Sequence, residues 1–321
     1  MLTSSPSLPL ARTSGPELPA WYCPTPQAAR RFLEFFATQI RNRHTRKAYW
    51  RASEALSVWC GEQGLQLHTL EPLHVACYIE GLSAQLSIPS VKLHLAGLRM
   101  LFDWLVTGGV IASNPASSVR GPRYSISRGK TPVLSSQETR QLLDSLGGNG
   151  LADIRDRAII AVMVYSFARV GALAGMRVED FRYEAGRYRF RFFEKNSKIH
   201  DVPAHPEAAR AVKAWIDAAG IGSTTQSPLF RSLPVTGGIS ENSLHPNDIR
   251  RMVKRRSEKV SLGAGICCHS FRATGITAYL SNGGTLEKAQ ALAGHASPRT
   301  TKLYDRNIDF ISAEEIERIR F

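Results

Sequence analysis

The chain has 321 residues, enough for two domains, and an apolar content ordinary for a protein with buried cores. Its 41 lysines and arginines outnumber 27 acidic residues, giving a net charge of +14 that favours a nucleic-acid partner over a merely solubilising basic surface. The most apolar run, residues 158–168, is too short for a membrane span, so no membrane function is expected.

The amino-terminal 25 residues are rich in serine and proline and predict a disordered leader, without the apolar centre of a signal peptide. Five cysteines with no C-x-x-C spacing are typical of a reducing compartment, which predicts a cytoplasmic protein. Cys267 and Cys268 precede His269 but lack zinc-site spacing and a second ligand pair, so we expect no metal site.

Four helical segments follow the leader and predict a small all-α domain over residues 26–112. Apolar residues recur at helical spacing over 26–40, 43–64 and 72–85, and a fourth segment begins near Ser87 with Pro89 in its first turn. Residues 113–132 then combine proline, glycine and serine with scattered arginines, which is typical of an extended basic linker.

The second predicted domain, residues 133–321, opens with a helix capped at Ser135 or Ser136, followed by a buried helix over 153–168. Tyr188, Phe190 and Phe192 alternate with arginines, which predicts a strand, a turn at 195–197 and a return strand ending at Pro203. The remainder is mostly helical and ends in an amphipathic tail, which we expect to dock on a neighbouring subunit or on its own domain. The predicted fold is therefore mainly α with a small β-hairpin or sheet.

Four features of the second domain could carry chemistry, although each is weak alone. They are Arg169 after the buried helix, a lysine of the hairpin turn (Lys195 or Lys198), the pair His269 and Arg272, and His295 with Tyr304 behind it. His269 and Arg272 are three positions apart and share one face of a helix. Because the four features occur together and in this order, a shared functional role is favoured over four unrelated structural roles.

This set of side chains suits a phosphate group that gains negative charge during reaction. Two guanidinium groups match phosphate oxygens, and imidazole and ammonium groups add to them. No carboxylate cluster is present to hold magnesium, so cationic side chains would replace it. Tyr304 would be the nucleophile, with its pKa lowered from about 10 by the cationic surroundings.

The order of arginine, hairpin lysine, H-x-x-R, G-H and tyrosine resembles the tyrosine recombinase (phage integrase) family, including the Xer recombinases, over residues 26–310. The resemblance implies an amino-terminal core-binding (SAM-like) four-helix bundle and an α+β catalytic domain. It further implies a site-specific recombinase that acts without cofactor as a homo-tetramer on two double-stranded DNA sites, with host accessory proteins as further candidate partners.

The resemblance also implies roles for individual residues. Arg169, Arg272 and His295 would stabilise the scissile phosphate, and His269 would assist proton transfer. Tyr304 would form a 3′-phosphotyrosyl link, releasing a 5′-hydroxyl that the hairpin lysine protonates. Counting back from Pro203 selects Lys195 for this step, with Lys198 as the second choice.

Two positions depart from the family pattern. The family usually has a carboxylate three residues after the first arginine, where this chain has Ala172. Glu179 or Asp180 are candidates to support Arg169 instead. The hairpin turn, usually Gly-Lys-Gly, reads Glu194-Lys195-Asn196.

Several basic and polar residues are candidate DNA contacts, although each could equally be a solvated surface group. They are Arg43, Thr45, Arg46, Tyr49, Lys92, Arg99, Arg123, Arg128, Lys130 and Lys198. The linker residues among them are favoured, because an extended cationic segment can cross a DNA backbone.

Three alternatives to a recombinase remain at this point. A type IB topoisomerase-like enzyme would use similar residues, and a DNA-binding relative without catalysis would fit the change at Ala172. A metal-dependent nuclease is disfavoured by the missing carboxylate cluster.

Overall fold

The structure, a computed structural model, describes residues 18–125, 129–194, 198–234, 236–305 and 317. The chain divides into two compact units, Met1–Ser125 and Ile126–Phe321. This division falls inside the predicted linker, while the domain boundaries drawn from the sequence stay predictions. Most of the predicted leader, Arg128, Lys195 and most of the carboxy-terminal tail lie outside the described residues.

The first unit is built from helices whose starts are fixed by local side chains. They are α1 (Pro26–Glu34), α2 (Arg43–Glu62), α3 (Pro72–Gln85) and α4 (Ile88–Thr107), with short helical turns at Ala20–Tyr22, Phe35–Gln39 and Leu67–Thr69. Thr25 accepts a hydrogen bond from the backbone N–H of Ala28, and Asn42 caps α2 in the same way. Such caps satisfy N–H groups that have no partner within the helix.

An aromatic cluster and one close helix contact hold the first unit together. Tyr22 stacks on Phe32 with ring centroids 4.7 Å apart, and Phe36 packs against Trp50. A Cβ at Gly97 would lie 2.8 Å from the ring of Tyr49, which is closer than real Cβ atoms approach. Glycine at this position therefore lets α4 pack directly on the Tyr49 ring of α2.

The second unit combines eight further helices of the described chain with one sheet. In chain order they are α5 (Ser136–Asp144), α6 (Leu151–Ser166), α7 (Val170–Ala174), a 3₁₀ turn (Val178–Asp180), β1 (Phe181–Glu184), β2 (Arg187–Phe193), β3 (Ile199–Pro203), α8 (Pro206–Ala219), α9 (Pro246–Lys259), α10 (Cys268–Ser281), α11 (Leu286–Ala293) and α12 (Pro298–Lys302). Ser135 caps α5 in a capping box with Glu138, which settles the choice between the two predicted caps.

The sheet is antiparallel in the order β1-β2-β3. Phe190 lies opposite Phe181 on β1 and Val202 on β3, and Phe190 and Phe192 are fully buried. The predicted hairpin is confirmed as β2 and β3, whereas β1 was not predicted. A mainly helical chain with a small sheet confirms the predicted fold class.

The apolar helix α6 lies at the centre of the second unit and packs against α8 and α10. At its crossing with α10, a Cβ on Gly275 would fall 2.0 Å from the carbonyl oxygen of Val164. The two helix backbones are therefore as close as glycine permits. Arg272, one turn before Gly275, is thereby placed beside the end of α6, where the candidate site begins.

Across the described ranges, none of the helices is both long enough and apolar enough to span a membrane.

Candidate active site

Helix α10 carries His269 and Arg272, and the guanidinium group of Arg272 is buried, with the residue 2% exposed. Its Nη1 donates to the carbonyl oxygen of Phe167 at the end of α6, and its Nη2 donates to that of Ala293 at the end of α11, at 2.6 Å. Carbonyls at helix ends lack intrahelical donors, so Arg272 joins three helices. Burial and the charge of Arg169 lower the pKa of Arg272 to about 10, which leaves it charged at neutral pH.

Arg169 stands at the start of α7, two residues after Phe167 in its left-handed conformation (φ 56°). Its side chain is 43% exposed, and its Nη1 forms an ion pair with Oε1 of Glu194, which is 11% exposed. The sequence-based choice of Glu179 or Asp180 as the support for Arg169 is wrong. Both carboxylates are engaged near Arg177: Glu179 lies 3.8 Å from its guanidinium, and Asp180 accepts from its backbone N–H at 2.8 Å.

His295 is 8% exposed and follows Gly294, which ends α11 in the left-handed conformation (φ 60°). Its Nδ1 is 2.8 Å from the hydroxyl of Thr301, a fully buried residue of α12. Burial and the charges of Arg272 and Arg169 lower the pKa of His295 to about 4. The ring is therefore neutral at pH 7, and the hydrogen bond with Thr301 fixes its orientation.

Tyr304 lies within the same pocket, 6% exposed. Its hydroxyl oxygen is 2.8 Å from Nε2 of His269, and its ring stacks on that of His295 with centroids 5.9 Å apart at 8°. Thr277 of α10 donates from its hydroxyl to the carbonyl oxygen of Tyr304 at 3.1 Å. Tyr304, His269 and His295, all predicted from the sequence, therefore lie together in one site of a single chain.

The expectation that cationic surroundings lower the pKa of Tyr304 is wrong. Burial raises the pKa of the phenol, and the opposing charges of Arg272 and Arg169 offset only part of this effect. Burial also lowers the pKa of His269, together with the charges of the same two arginines. The pair is thus a neutral phenol beside a neutral imidazole.

The two candidate lysines differ in what the structure describes. Lys195 lies outside the described residues. Lys198 is exposed immediately before β3, and its carbonyl oxygen accepts from the backbone N–H of Glu194 at 2.8 Å, which closes the hairpin turn.

The candidate DNA contacts of the first unit fall into two groups. Arg46 donates from Nε and Nη2 to the carbonyl oxygen of Ile40, at 3.0 and 2.7 Å. Arg99 donates to the carbonyl oxygens of Ala116, at 3.0 Å, and Val119. These two guanidinium groups therefore stabilise the unit itself.

The remaining candidates have other environments. Tyr49 packs against Gly97, and the backbone N–H of Thr45 bonds the cap residue Asn42. The candidates with exposed side chains are Arg43, Lys92 and Arg123 in the first unit and Lys130 and Lys198 in the second. Contact of any of these residues with DNA stays a prediction.

Sequence reasoning missed two polar side chains that hold the site. In the sequence, Glu194 stands out only as a departure from the family pattern in the hairpin turn. The alanine at the usual carboxylate position, Ala172, was the signal that a carboxylate elsewhere in the chain could support Arg169. Thr301 gave no signal, because its contact with His295 depends on a turn between α11 and α12 that the sequence pattern does not reveal.

Comparison with known proteins places these observations in a family. A sequence model described as the phage integrase family matches residues 132–309. Tyrosine recombinase XerC of Salmonella typhi is 28% identical over 286 residues, covering 87% of this chain and 90% of the relative.

Two solved structures share the fold. XerH bound to a palindromic difH substrate in a post-cleavage complex has a TM-score of 0.68 and 15% identity, over 90% of this chain and 92% of that one. A lambda integrase dimer bound to a COC′ core site has a TM-score of 0.66 and 17% identity, over 88% and 79%.

The matched region includes the candidate site residues Arg169, His269, Arg272, His295 and Tyr304. The family match and the relatives define an enzyme of the tyrosine recombinase class, which breaks and rejoins DNA. The chain belongs to the phage integrase family, and the predicted resemblance is confirmed.

Proposed function

We propose that this protein is a site-specific DNA recombinase whose nucleophile is Tyr304. The observation that carries the proposal is the 2.8 Å hydrogen bond between the hydroxyl of Tyr304 and Nε2 of His269, in a pocket that Arg272 shares. A buried phenol with a raised pKa needs a base, and a neutral imidazole in hydrogen-bond contact can be that base.

In the proposed reaction, the oxygen of Tyr304 attacks a DNA phosphorus atom as its proton passes to His269. A new P–O bond to tyrosine forms and the bond to the 5′ oxygen breaks, giving a 3′-phosphotyrosyl link. The reverse attack by a 5′-hydroxyl rejoins the strand, so the bond energy is kept and neither ATP nor a metal ion enters the scheme.

Charge on the phosphate would be stabilised mainly by the two guanidinium groups. Arg272 is held by two helix-end carbonyls, so little reorganisation is needed as charge develops. In the proposed arrangement, Nδ1 of the neutral His295 accepts from the hydroxyl of Thr301, so the ring proton lies on Nε2, which would donate to the phosphate. Lys195 would protonate the leaving oxygen, with Lys198 as the second choice.

The partners are proposed from the family and from the charge of the chain. The XerH and lambda integrase structures are complexes with DNA. We expect this chain to bind double-stranded recombination sites, to act as a homo-tetramer on two duplexes and to work in the cytoplasm, with host accessory proteins as further candidates.

Covalent capture tests the proposal. The full chain is incubated with nicked duplexes carrying a randomised core, and DNA that becomes attached to protein is recovered and sequenced. Wild type should yield an adduct at Tyr304 that resists EDTA, and Tyr304→Phe should yield none. Tyr183→Phe is the control, because Tyr183 is an exposed tyrosine of the sheet.

The other outcomes separate the alternatives. Sequence-specific binding with no adduct from any variant would indicate a DNA-binding relative without catalysis. Relaxation of a supercoiled plasmid that lacks the captured site, with no exchange between paired sites, would indicate a topoisomerase-like enzyme.

A further inference from the structure

Arg169 is the most exposed side chain among the candidate arginines of the site, so its orientation depends on a partner. One turn along α7, residue 172 is an alanine, whose methyl group offers no acceptor. The ion-pair partner comes instead from Glu194, 25 positions away at the end of β2.

The side chain of Glu194 is largely buried within the site. Its side chain is 11% exposed, and its backbone N–H closes the hairpin turn onto Lys198. An ideal Cβ at Gly294 would lie 3.3 to 3.5 Å from the carboxylate atoms of Glu194. The carboxylate is therefore packed against the glycine that precedes His295.

The charges around Glu194 explain why a carboxylate is useful here. Two neighbouring charges shift the pKa of Arg272 in opposite directions. The positive charge of Arg169 lowers it, and the negative charge of Glu194 raises it. The negative charge of Glu194 therefore offsets part of the repulsion between these two cations.

We propose that Glu194 is a positioning residue that holds the guanidinium of Arg169 for the phosphate. This role rests on the proposed function. Within the chain it replaces the carboxylate that the family pattern has at position 172, so the two departures from that pattern compensate each other.

Single-turnover cleavage of the captured DNA site tests the role. Glu194→Ala should slow cleavage by about 100-fold, because a small misplacement of a phosphate-binding group is costly, while leaving DNA affinity within about twofold. Glu194→Gln should fall between, since an amide oxygen still accepts a hydrogen bond without charge. Adding Ala172→Glu to Glu194→Ala should restore at least about tenfold of the lost rate, because it returns a carboxylate to the same guanidinium.

Another glutamate of the same sheet provides the control variant. Glu184 also pairs with arginines, at 3.7 and 3.9 Å, but on the outer strand, so Glu184→Ala should cleave like wild type. Unchanged cleavage by Glu194→Ala would overturn the proposal, because Arg169 would then need no carboxylate. Faster cleavage would also overturn it, because the carboxylate would then compete with the phosphate for Arg169. Slow cleavage that Ala172→Glu does not rescue would also overturn it, since Glu194 would only stabilise the turn.

A DNA-free measurement keeps this proposal separate from the proposed chemistry. Glu194→Ala should lower the Tm by about 2 °C in wild type and leave it unchanged in an Arg169→Ala background, as expected for a half-exposed ion pair in a unit of this size. Additive shifts would overturn the positioning role even if the Tyr304 adduct forms. If the Tm effects of the two substitutions are coupled but no Tyr304 adduct forms, the Arg169–Glu194 ion pair is upheld and the recombinase chemistry is rejected.

Discussion

At the scale of single residues, the site combines two charged guanidinium groups with two neutral imidazoles. The sequence suggested a uniformly cationic pocket, but burial together with neighbouring arginines disfavours a second pair of positive charges. The histidines are therefore neutral rings held by hydrogen bonds, and the arginines supply the positive charge of the site. This division gives each histidine a measurable effect on the pH dependence of stability.

Replacement of His295 should make the protein less sensitive to acid. The folded pKa of about 4 lies below the ordinary value near 6.5, so between these values the unfolded chain takes up a proton that the folded chain excludes. Stability is thus complete above about pH 6.5 and falls as the pH drops toward 4. From pH 7 to pH 5, His295→Gln should lose about 2 kcal/mol less than wild type in urea unfolding.

His44→Gln, a change at an exposed histidine of α2, is the control for this comparison. Parallel losses in wild type and His295→Gln would contradict the assignment of a buried neutral imidazole.

At the scale of secondary-structure elements, close helix contacts and helix ends decide where the side chains of the candidate site lie. Gly275 follows Arg272 by one turn of α10 and permits the approach to Val164 of α6. Arg272 then reaches the carbonyls that end α6 and α11. Arg272, the proposed phosphate-binding arginine, is therefore positioned by helix packing.

Gly275→Ala should disrupt this contact. The added methyl would meet a backbone carbonyl that cannot move without shifting α6, so we expect a loss of at least about 2 kcal/mol in stability and reduced cleavage. Thermal unfolding measures the first effect. Gly263→Ala, which has open space around its Cβ, should stay within about 0.5 kcal/mol of wild type.

In the first unit, Arg99 and Lys92 lie on α4 seven positions apart but should respond differently to substitution. Arg99→Ala leaves the carbonyls of two buried residues, Ala116 and Val119, without their donor and should cost about 1–3 kcal/mol. Lys92→Ala removes an exposed charge and should change stability by less than about 0.5 kcal/mol while weakening DNA binding.

Urea unfolding and gel-shift titration of both variants distinguish the two roles. A stable Arg99→Ala protein with weakened DNA binding would show that Arg99 serves DNA and not the fold.

At the scale of the whole molecule, the net charge of +14 belongs to a chain with two compact units. Exposed basic side chains occur in both units, as Arg43 and Lys198 illustrate. Such a distribution suits a protein that contacts many phosphates along a duplex and releases counterions as it binds.

Affinity for duplex DNA of random sequence should therefore fall steeply with salt. For 6 to 10 phosphate contacts, binding should weaken by about 10³- to 10⁵-fold between 50 and 200 mM KCl. Fluorescence anisotropy with a labelled duplex measures the change. A loss of less than about tenfold would contradict binding dominated by phosphate contacts.

The sequence by itself determined the helices, the hairpin and the order of the candidate site residues, because helix and strand periods, caps and motif spacing act over short stretches of chain. Tertiary structure alone decided that Glu194 supports Arg169, that Thr301 orients His295, and that burial outweighs positive charge at Tyr304. These features depend on contacts between distant segments and on the exclusion of water. Neither is encoded in the local pattern from which the helices and motifs were predicted.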